Sequence, residues 1–501
     1  MREVELKLAV HGSFGMPSLV DEDLGVAVVE ELPDLDMKTT YYDTDDLRLA
    51  RNGITLRYRT GEDEGSRWTL KLPVPGEDGT AHEERHLSSS PGRVPEPARD
   101  LVTAYVRSAP LSAVASVRTR RHRWALRDDD GTELCEVVDD EVTVVEGSKI
   151  VSRFREIEIE ARTFGRSELQ TVADALMDAG AMAAEPIPKA VRALGARATA
   201  PPDVPADHPV TPDEPAGEAF RGALIRGTRR LIDNDAMVRS GGDAEAVHQM
   251  RVASRRLRSD FRTFGVLVDQ EWAGPLIDEL KWLGGSLGAV RDQDVQIEHF
   301  EAEVADRRAS VKPLFQHLEH EHGRARRAMV RDLRSERYLR LLDDLVAAIR
   351  EPRVTELAGK SAAEVLPGLV DTAWTKLVKA RRKLAKDATD ERFHRVRIRA
   401  KRARYAAEAI APALGAAESD ALRFAKKCAR VQDALGAGQD GVVAAATISS
   451  VARRHPADGE LNLTLGRLLE REEDRRSEAR DAFEDVWDAL DRKKNVKWLR
   501  L

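Results

Sequence analysis

The sequence predicts an α+β chain of two unlike parts, an antiparallel β domain followed by an all-α domain made of duplicated four-helix bundles. Three observations carry this. Polar and apolar residues alternate with period two through the first part of the chain, in short runs parted by Gly, Asp and Pro. The later part shows the helical period in long stretches rich in Ala, Leu and Arg. Between them, Ala196 to Gly217 holds Pro201, Pro202, Pro205, Pro209, Pro212 and Pro215, which leave little room for helix or central strand.

The bulk composition agrees. The chain has 501 residues, enough for two or more domains, with 33% charged and 42% hydrophobic residues. That balance excludes a disordered chain, and no run of about 18 apolar residues exists to make a transmembrane helix. Met1-Arg2-Glu3-Val4-Glu5 passes directly into strand-like alternation without the apolar core of a signal peptide. Cys135 and Cys428 stand alone and far apart, which fits a reducing cytoplasm and makes neither a disulfide framework nor a zinc site. A cytoplasmic location is therefore expected, with no membrane partner. The net charge of −7 hides an asymmetry. Residues 1–200 carry 26 Lys and Arg against 37 Asp and Glu, and residues 201–501 carry 54 against 50. Different partners for the two halves follow.

The β pattern covers Glu3–Val10, Ile54–Arg59, Trp68–Leu72, Val117–Leu126, Glu133–Val138 and Arg155–Ala161. A helix is predicted over Ser167–Gly180, with Leu169, Val172, Ala173 and Leu176 on its apolar face. The proline-rich stretch reads as a semi-rigid linker over 198–213. In the helical part, breaks are expected at Gly241-Gly242, Gly274-Pro275 and Glu351-Pro352.

The helical part also repeats itself. Val247-His248-Gln249-Met250-Arg251-Val252-Ala253-Ser254-Arg255-Arg256-Leu257-Arg258 matches the twelve residues from Phe393 to Arg404. Leu287-Gly288-Ala289-Val290-Arg291-Asp292 matches Leu435-Gly436-Ala437-Gly438-Gln439-Asp440 at nearly the same offset. Two ordered matches argue for a duplicated bundle, each copy long enough for about four helices.

Charged side chains in the β part fall on shared strand faces. Glu3, Glu5 and Lys7 alternate with Val4, Leu6 and Leu8. Arg57 and Arg59 flank Tyr58, Lys71 lies between Leu70 and Leu72, and Glu156, Glu158 and Glu160 alternate with Ile157 and Ile159. Any one such strand is an ordinary solvated face. Together, acids lie on the first and last strands and bases on those between. If the sheet closes, one space holds both. Carboxylates at close range need a cation between them, and hard oxygen ligands suit Mg²⁺ or Mn²⁺. Lys and Arg around such a metal suit phosphates.

These residues resemble the CYTH domain, or triphosphate tunnel metalloenzyme. Glu3-x-Glu5-x-Lys7 is similar to its ExExK signature, and the resemblance runs over residues 1–197 through Tyr42-Asp43-Thr44, Arg57-x-Arg59, Lys71, Arg118–Arg123, Asp139, Glu156-Ile157-Glu158 and Lys189-Ala190-Val191-Arg192. It implies an eight-stranded antiparallel β tunnel that hydrolyses triphosphate compounds with a divalent metal. It implies metal-side roles for Glu3, Glu5, Glu156 and Glu158, with Asp139 acting through water. It implies phosphate binding by Lys7, Arg57, Arg59, Lys71, Arg121 and Lys189, with Arg120 replacing Arg121 if the strand carries a bulge.

In the helical part, His248, Arg251, Arg255, Arg258 and Arg262 follow spacings of three and four, a stripe about 20 Å long at about 1.5 Å per residue. Val247, Met250, Ser254, Leu257, Phe261 and Phe264 make the apolar seam beside it. His394, Arg397, Lys401 and Arg404 repeat the stripe, and Phe393, Val396, Ala400, Ala403, Ala407 and Ile410 repeat the seam. One basic face is usually just solvated, whereas two at matching spacing point to a polyanion. The residues resemble the CHAD domain over 214–495, which implies two four-helix bundles around a basic surface that binds inorganic polyphosphate. The resemblance carries to His248, Arg251, Arg255, Arg258, His394, Arg397, Lys401 and Arg404. Arg256, Arg262, Arg399, Arg402, Lys281, Lys426 and Lys427 are weaker candidates. Gly438 and Gln439 depart from Val290 and Arg291 of the first copy.

The combined expectation is an inorganic triphosphatase using Mg²⁺ or Mn²⁺, with inorganic triphosphate and polyphosphate as partners. Thiamine triphosphatase, a class IV-like adenylate cyclase and a non-catalytic polyphosphate-binding or targeting protein are the competing readings. Nucleic acid is disfavoured, because the stripes lack interleaved aromatics and no recognition-helix motif is present.

Overall fold

The computed structural model describes residues 5–62, 65–73, 82–147, 149–184, 187–241 and 244–500, with backbone alone at 62, 82, 305–307, 437, 439 and 500. The chain divides into two compact units, Met1–Asp203 and Val204–Leu501. Among the described residues no helix is long and apolar enough to cross a membrane.

The first unit is an antiparallel sheet of nine strands. These are β1 (Glu5–Val10), β2 (Val28–Asp43), β3 (Thr55–Glu62), β4 (Gly65–Pro73), β5 (His82–Leu87), β6 (Ser112–Arg127), β7 (Glu133–Glu146), β8 (Lys149–Ala161) and β9 (Met182–Ala183). Their order is β5-β4-β3-β2-β6-β7-β8-β1-β9. The expected closed ring of eight strands is thus corrected to an open sheet of nine, among the described residues. The reason lies at β1, whose outer edge is taken by β9 through the pairs Leu8↔Ala183 and Ala9↔Met182. Three short helices lie in connections: α1 (Arg48–Arg51), α2 (Glu96–Leu101) and α3 (Thr103–Val106). They are followed by α4 (Arg166–Asp178) and α5 (Lys189–Leu194).

The predicted face of α4 is the buried one. Leu169, Val172, Ala173 and Leu176 pack on Leu8, Leu126, Cys135, Val137, Ile157 and Ile159. Each fully buried Leu or Ile there contributes about 2 kcal/mol from burial. One side of β1, β6, β7 and β8 is thereby committed to the core. Because side chains alternate across a strand, the other side is left for charge.

The second unit is helical. Its elements are α6 (Ala216–Ser240), α7 (Ala244–Thr263), α8 (Gln270–Val304), α9 (Lys312–Leu333), α10 (Glu336–Arg350), α11 (Ala362–Leu384), α12 (Asp390–Ile410), α13 (Glu418–Arg454), α14 (Gly459–Leu490) and α15 (Lys493–Val496). α6 to α9 pack in succession, as do α11 to α14, and α7 packs on α12. The first copy has α10 in addition, which lies on α6 and α8. Gly241 ends α6 at φ +92°, where a side chain would be strained. Glu351 caps the end of α10 just before Pro352. Gly274-Pro275 is not a break, because α8 runs through it. Pro275 is the sixth residue of that helix, so the one hydrogen bond it removes is close to an end that already frays.

The proline-rich segment is not a free spacer. Val204 O accepts from Arg229, and Asp207 pairs with Arg226 at 2.7 Å. Ala363 and Ala362 donate backbone N–H bonds to Pro212 O at 2.9 Å and Glu214 O at 2.8 Å. Proline lacks a donor but keeps its carbonyl, so this segment accepts bonds from the helical unit. On the other side of the division, Asp203 pairs with Arg107 of the first unit.

Candidate functional site

The charged face of the sheet follows from register. Lys7 stands opposite Glu158 and Glu5 opposite Glu160. Asp140 is opposite Glu156, Val138 opposite Glu158 and Glu136 opposite Glu160. Arg121 is opposite Asp140 and Arg123 opposite Val138. Directly opposed residues share a face, so all these charges point to one side. Across β2, the pairs Thr39↔Arg59 and Tyr41↔Arg57 carry the same face onto β3. Arg57↔Thr69 and Lys71↔Glu84 continue it to β4 and β5.

Glu158 is the centre of the acidic half. Its carboxylate accepts from Lys7 at 2.6 Å and Arg121 at 3.1 Å, and Lys189 lies 3.4 Å away. These cations come from β1, β6 and α5. Burial alone would raise the Glu158 pKa, but Lys189, Lys7 and Arg121 overcome it and hold the carboxyl well below the usual range. Burial likewise opposes the charge on Lys189, and Glu158, Asp140 and Glu156 outweigh it. Lys189 is 3.1 Å from Glu156 and also meets Asp140, while Arg192 reaches Glu156 at 3.3 Å. Arg121 holds Asp140 through both oxygens at 2.7 and 2.8 Å.

The basic half has its own anchor. Glu84 takes Lys71 at 2.6 Å and stands 3.8 Å from Arg57. Arg59 donates to Thr39 Oγ1 at 3.0 Å. The face therefore runs from carboxylates on β7, β8 and β1 to cations on β3 and β4.

Glu5, Lys7, Arg57, Arg59, Lys71, Arg121, Glu156, Glu158 and Lys189 all lie on this face or over it. Glu3 lies outside the described residues. Arg120 is on the opposite side, 3.3 Å from Asp34, so Arg121 is the one placed here. Asp139 is corrected. It stands opposite Ile157 on the core side and takes Arg155 at 2.6 and 2.8 Å, while its neighbour Asp140 enters the charged face. The parity was hidden by Val137-Val138, two successive apolar residues that leave period two undecided. Glu84, Glu136, Arg123 and Arg192 were also missed. Of these, Arg123 carried a signal at strand spacing from Arg121, and Arg192 one at helical spacing from Lys189.

The donor chemistry suits a hard divalent cation. Glu5, Glu156, Glu158 and Glu160 offer oxygen alone, and the buried Glu156 Oε1 faces the Lys189 ammonium 3.1 Å away. Burial raises the Glu160 pKa, and the charges of Glu158 and Glu136 add to it, the crowding that a cation relieves. Among the described residues no three acids, histidines or cysteines converge closely enough to hold a metal by themselves. Lys7, Arg121 and Lys189 stand between the carboxylates instead.

In the helical unit, the seam residues Val247, Met250, Ser254, Leu257, Phe261 and Phe264 are all buried. Val396, Ala400, Ala403, Ala407 and Ile410 are buried too. The stripes beside them meet where α7 packs on α12. Burial lowers the Arg255 pKa, and the charges of Arg251 and Arg397 lower it further, so these three cations are neighbours. Burial and the charges of Arg291, Arg251 and Arg255 similarly lower His248. Each stripe packs on a glycine: a Cβ at Gly288 would lie 3.5 Å from Arg251 Nε, and one at Gly436 would lie 3.6 Å from Arg397 Nη2, both in ordinary contact. These two glycines are the matched pair of the repeat.

His248 Nδ1, Arg397 Nε and Arg258 Nε are buried without hydrogen-bond partners among the described residues. Other stripe residues are occupied. Arg251 pairs with Asp292 at 2.8 Å and Arg404 with Glu408 at 2.8 Å, while Lys401 lies 5.7 Å from the Tyr405 ring. His394 lines a small cavity with Asp390, Phe393, Arg476 and Arg480, apart from the three central arginines. Of the weaker candidates, Arg256 is taken by Glu408 and Lys427 donates to Ala489 O at 2.9 Å.

Comparisons with known proteins match both units. A CYTH domain is matched over residues 1–192 and a CHAD domain over residues 222–449. The uncharacterized proteins Rv2226 and MT2285 of Mycobacterium tuberculosis are each 33% identical to the chain over 525 residues, covering 98% of it and 96% of their own length. Similar solved structures include PptA from Streptomyces chartreusis, 21% identical with a TM-score of 0.47, covering 55% of this chain and 99% of that one. The CHAD domain of Ricinus communis is 27% identical with a TM-score of 0.47, covering 57% and 96%. The putative adenylyl cyclase HpAC1 from Hippeastrum, with a dominant triphosphatase activity, is 16% identical with a TM-score of 0.23, covering 38% and 94%. The chain belongs to the family of proteins in which a CYTH domain is followed by a CHAD domain.

Proposed function

We propose that the first unit hydrolyses inorganic triphosphate with Mg²⁺ or Mn²⁺ and that the helical unit binds inorganic polyphosphate. The observation that carries the first half is Glu158, a buried carboxylate gripped by Lys7, Arg121 and Lys189 from three separate elements. Such a set is ready to trade its internal ion pairs for phosphate oxygens. Lys189, Lys7 and Arg121 would neutralise the phosphate nearest the acids, and Lys71, Arg57 and Arg59 the far end. Glu84 and Thr39 hold the far cations in place. Glu5, Glu156 and Glu158 would hold the divalent cation, which when bound would polarise a phosphate oxygen and acidify water. Water is the nucleophile in this reading. Cys135 faces the apolar core, where burial pushes its thiol up to about 12, and supplies no thiolate to the charged face.

The second half rests on Arg251, Arg255 and Arg397. Three cations beside a packed seam, with unsatisfied buried nitrogens nearby, favour a flexible polyanion. Phosphate release by the full chain tests the enzyme reading. Triphosphate, thiamine triphosphate, ATP and polyphosphate are compared with Mg²⁺, Mn²⁺ and EDTA. Turnover of triphosphate that disappears in EDTA is expected. Turnover that persists in EDTA, or none on any substrate, refutes it.

A further inference from the structure

The two basic stripes are equivalent in sequence but not in charge balance. At the repeat offset, Arg258 corresponds to Arg404, Arg256 to Arg402 and Ala253 to Arg399. One turn further, Arg262 of the first copy corresponds to Glu408 of the second. This exchange of a cation for an anion separates two otherwise matched corners of the α7–α12 contact.

In one corner the cations are neutralised. Glu408 takes Arg404 at 2.8 Å and also meets Arg256 across the helix contact. Asp260 lies 3.6 Å from Arg256, so two acidic side chains stand beside two guanidinium groups. In the matching corner, Arg258, Arg262, Arg399 and Arg402 have no acidic partner within ion-pair distance among the described residues. Burial lowers the Arg402 pKa, and Arg399, Arg262 and Arg258 lower it further. Burial and Arg262 do the same to Arg258. Every charge that shifts these two residues is another guanidinium. Arg262 and Arg402 remain exposed, so the corner is open to solvent. Arg258 Nε is buried and has no acceptor.

We propose that Arg258, Arg262, Arg399 and Arg402 form a second anion subsite, for one end of a phosphate chain, and that Glu408 closes the equivalent subsite in the other copy. The proposal rests on the polyphosphate reading of the helical unit. Like-charged guanidinium groups repel unless an anion stands between them, and phosphate takes Arg in forked geometry. Along α7, Arg251 to Arg262 spans about 16 Å at about 1.5 Å per residue. A triphosphate at Arg251, Arg255 and Arg397 does not need the second subsite, whereas a long chain reaches it. With Glu408 closing the other end, a bound chain leaves the central arginines in one direction only.

The test is calorimetric titration of the full chain with long inorganic polyphosphate, and with triphosphate for comparison. All variants lie in the helical unit, so differences from wild type read that unit. Glu408→Gln frees Arg256 and Arg404 and is expected to tighten long-chain binding about fivefold, while Arg399→Gln with Arg402→Gln weakens it about tenfold and flattens its salt dependence. Triphosphate binding stays as in wild type in both. Arg395→Gln, which removes an exposed cation paired with Glu391, is the charge control and is expected to leave binding unchanged. Circular dichroism confirms the helical content of each variant. Long-chain binding that is unchanged or weaker in Glu408→Gln, or unchanged in the arginine double variant, overturns the subsite. A wild-type chain that binds no polyphosphate overturns the underlying reading instead.

Discussion

Replacing Asp140 with asparagine, beside the same change at Asp139, separates the two faces of β7. The side chains are adjacent, chemically identical and both buried, at 0% and 1% exposure. Asp140 holds Arg121 through two bonds and also meets Lys189. Asparagine keeps the shape but loses the charge. Removing one partner of a buried pair costs about 3–5 kcal/mol. The lower end applies here, because Glu158 and Glu156 still hold the stranded cations. Arg121 and Lys189 would then move away from the position proposed for phosphate. A shift of about 1 Å in such groups costs about a hundredfold in rate, or about 2.7 kcal/mol. Asp139→Asn strands Arg155, which keeps its bonds to Phe14 O at 2.9 Å and Gly12 O at 3.1 Å on the core side. It should cost stability and leave turnover near wild type. The assay is phosphate release from triphosphate, normalised to the folded fraction. Equal loss of turnover in the two variants, at equal folded fraction, refutes the assignment of faces.

Three further outcomes follow from the same contacts. Glu158→Gln removes the common partner of Lys7, Arg121 and Lys189 and should lower kcat/KM at least about tenfold, checked by steady-state kinetics across Mg²⁺ concentration. Arg251→Ala with Arg397→Ala should weaken polyphosphate binding strongly and reduce its salt sensitivity, read by titration at two ionic strengths. Asp260 is buried beside α6 and α12, and burial raises its pKa to about 7 against the charges of Arg256 and Arg226. Its folded value lies above the unfolded one, so the native state holds the extra proton between about pH 4 and 7, and stability falls by about 4 kcal/mol as pH rises through that window. Asp260→Asn should flatten that fall in denaturant melts at pH 5 and 8, and an unchanged slope would contradict the assignment.

Where one face of an element is apolar and the other polar, its structure was legible in the residues. The α4 helix shows this, since Leu169, Val172, Ala173 and Leu176 are its core face as spaced. The β8 strand does too, with Glu156 and Glu158 opposite Ile157 and Ile159. Parity failed on β7, where Val137 and Val138 blur the alternation just before the two aspartates. The long β2 strand was not anticipated. Its stretch Leu32-Pro33-Asp34-Leu35 breaks the pattern, and the pairing register shifts there. Sheet closure could not be read either, because it depends on β9, two residues far from β1 in sequence. The cationic stripes were legible as spacings. Which cations stay available was not, because Asp292 neutralises Arg251 and Glu408 meets Arg256 from other helices, positions that spacing alone does not link.

The strict alternation of β8 bears on which changes in chain length the protein tolerates. A single-residue deletion at Arg153 or Phe154 would turn the rest of the strand over if the pairing on the turn side, with its bulge at Val144 and Val145, were kept. Glu156 and Glu158 would then enter the core beside Leu169 and Leu176, and Ile157 and Ile159 would enter the charged face. The Asp128–Thr132 turn between β6 and β7 has no such constraint, being exposed at its tip and tied mainly by bonds to Asp128. Relatives and designed libraries should therefore vary in length at that turn while keeping the spacing from Ser152 to Ala161 fixed.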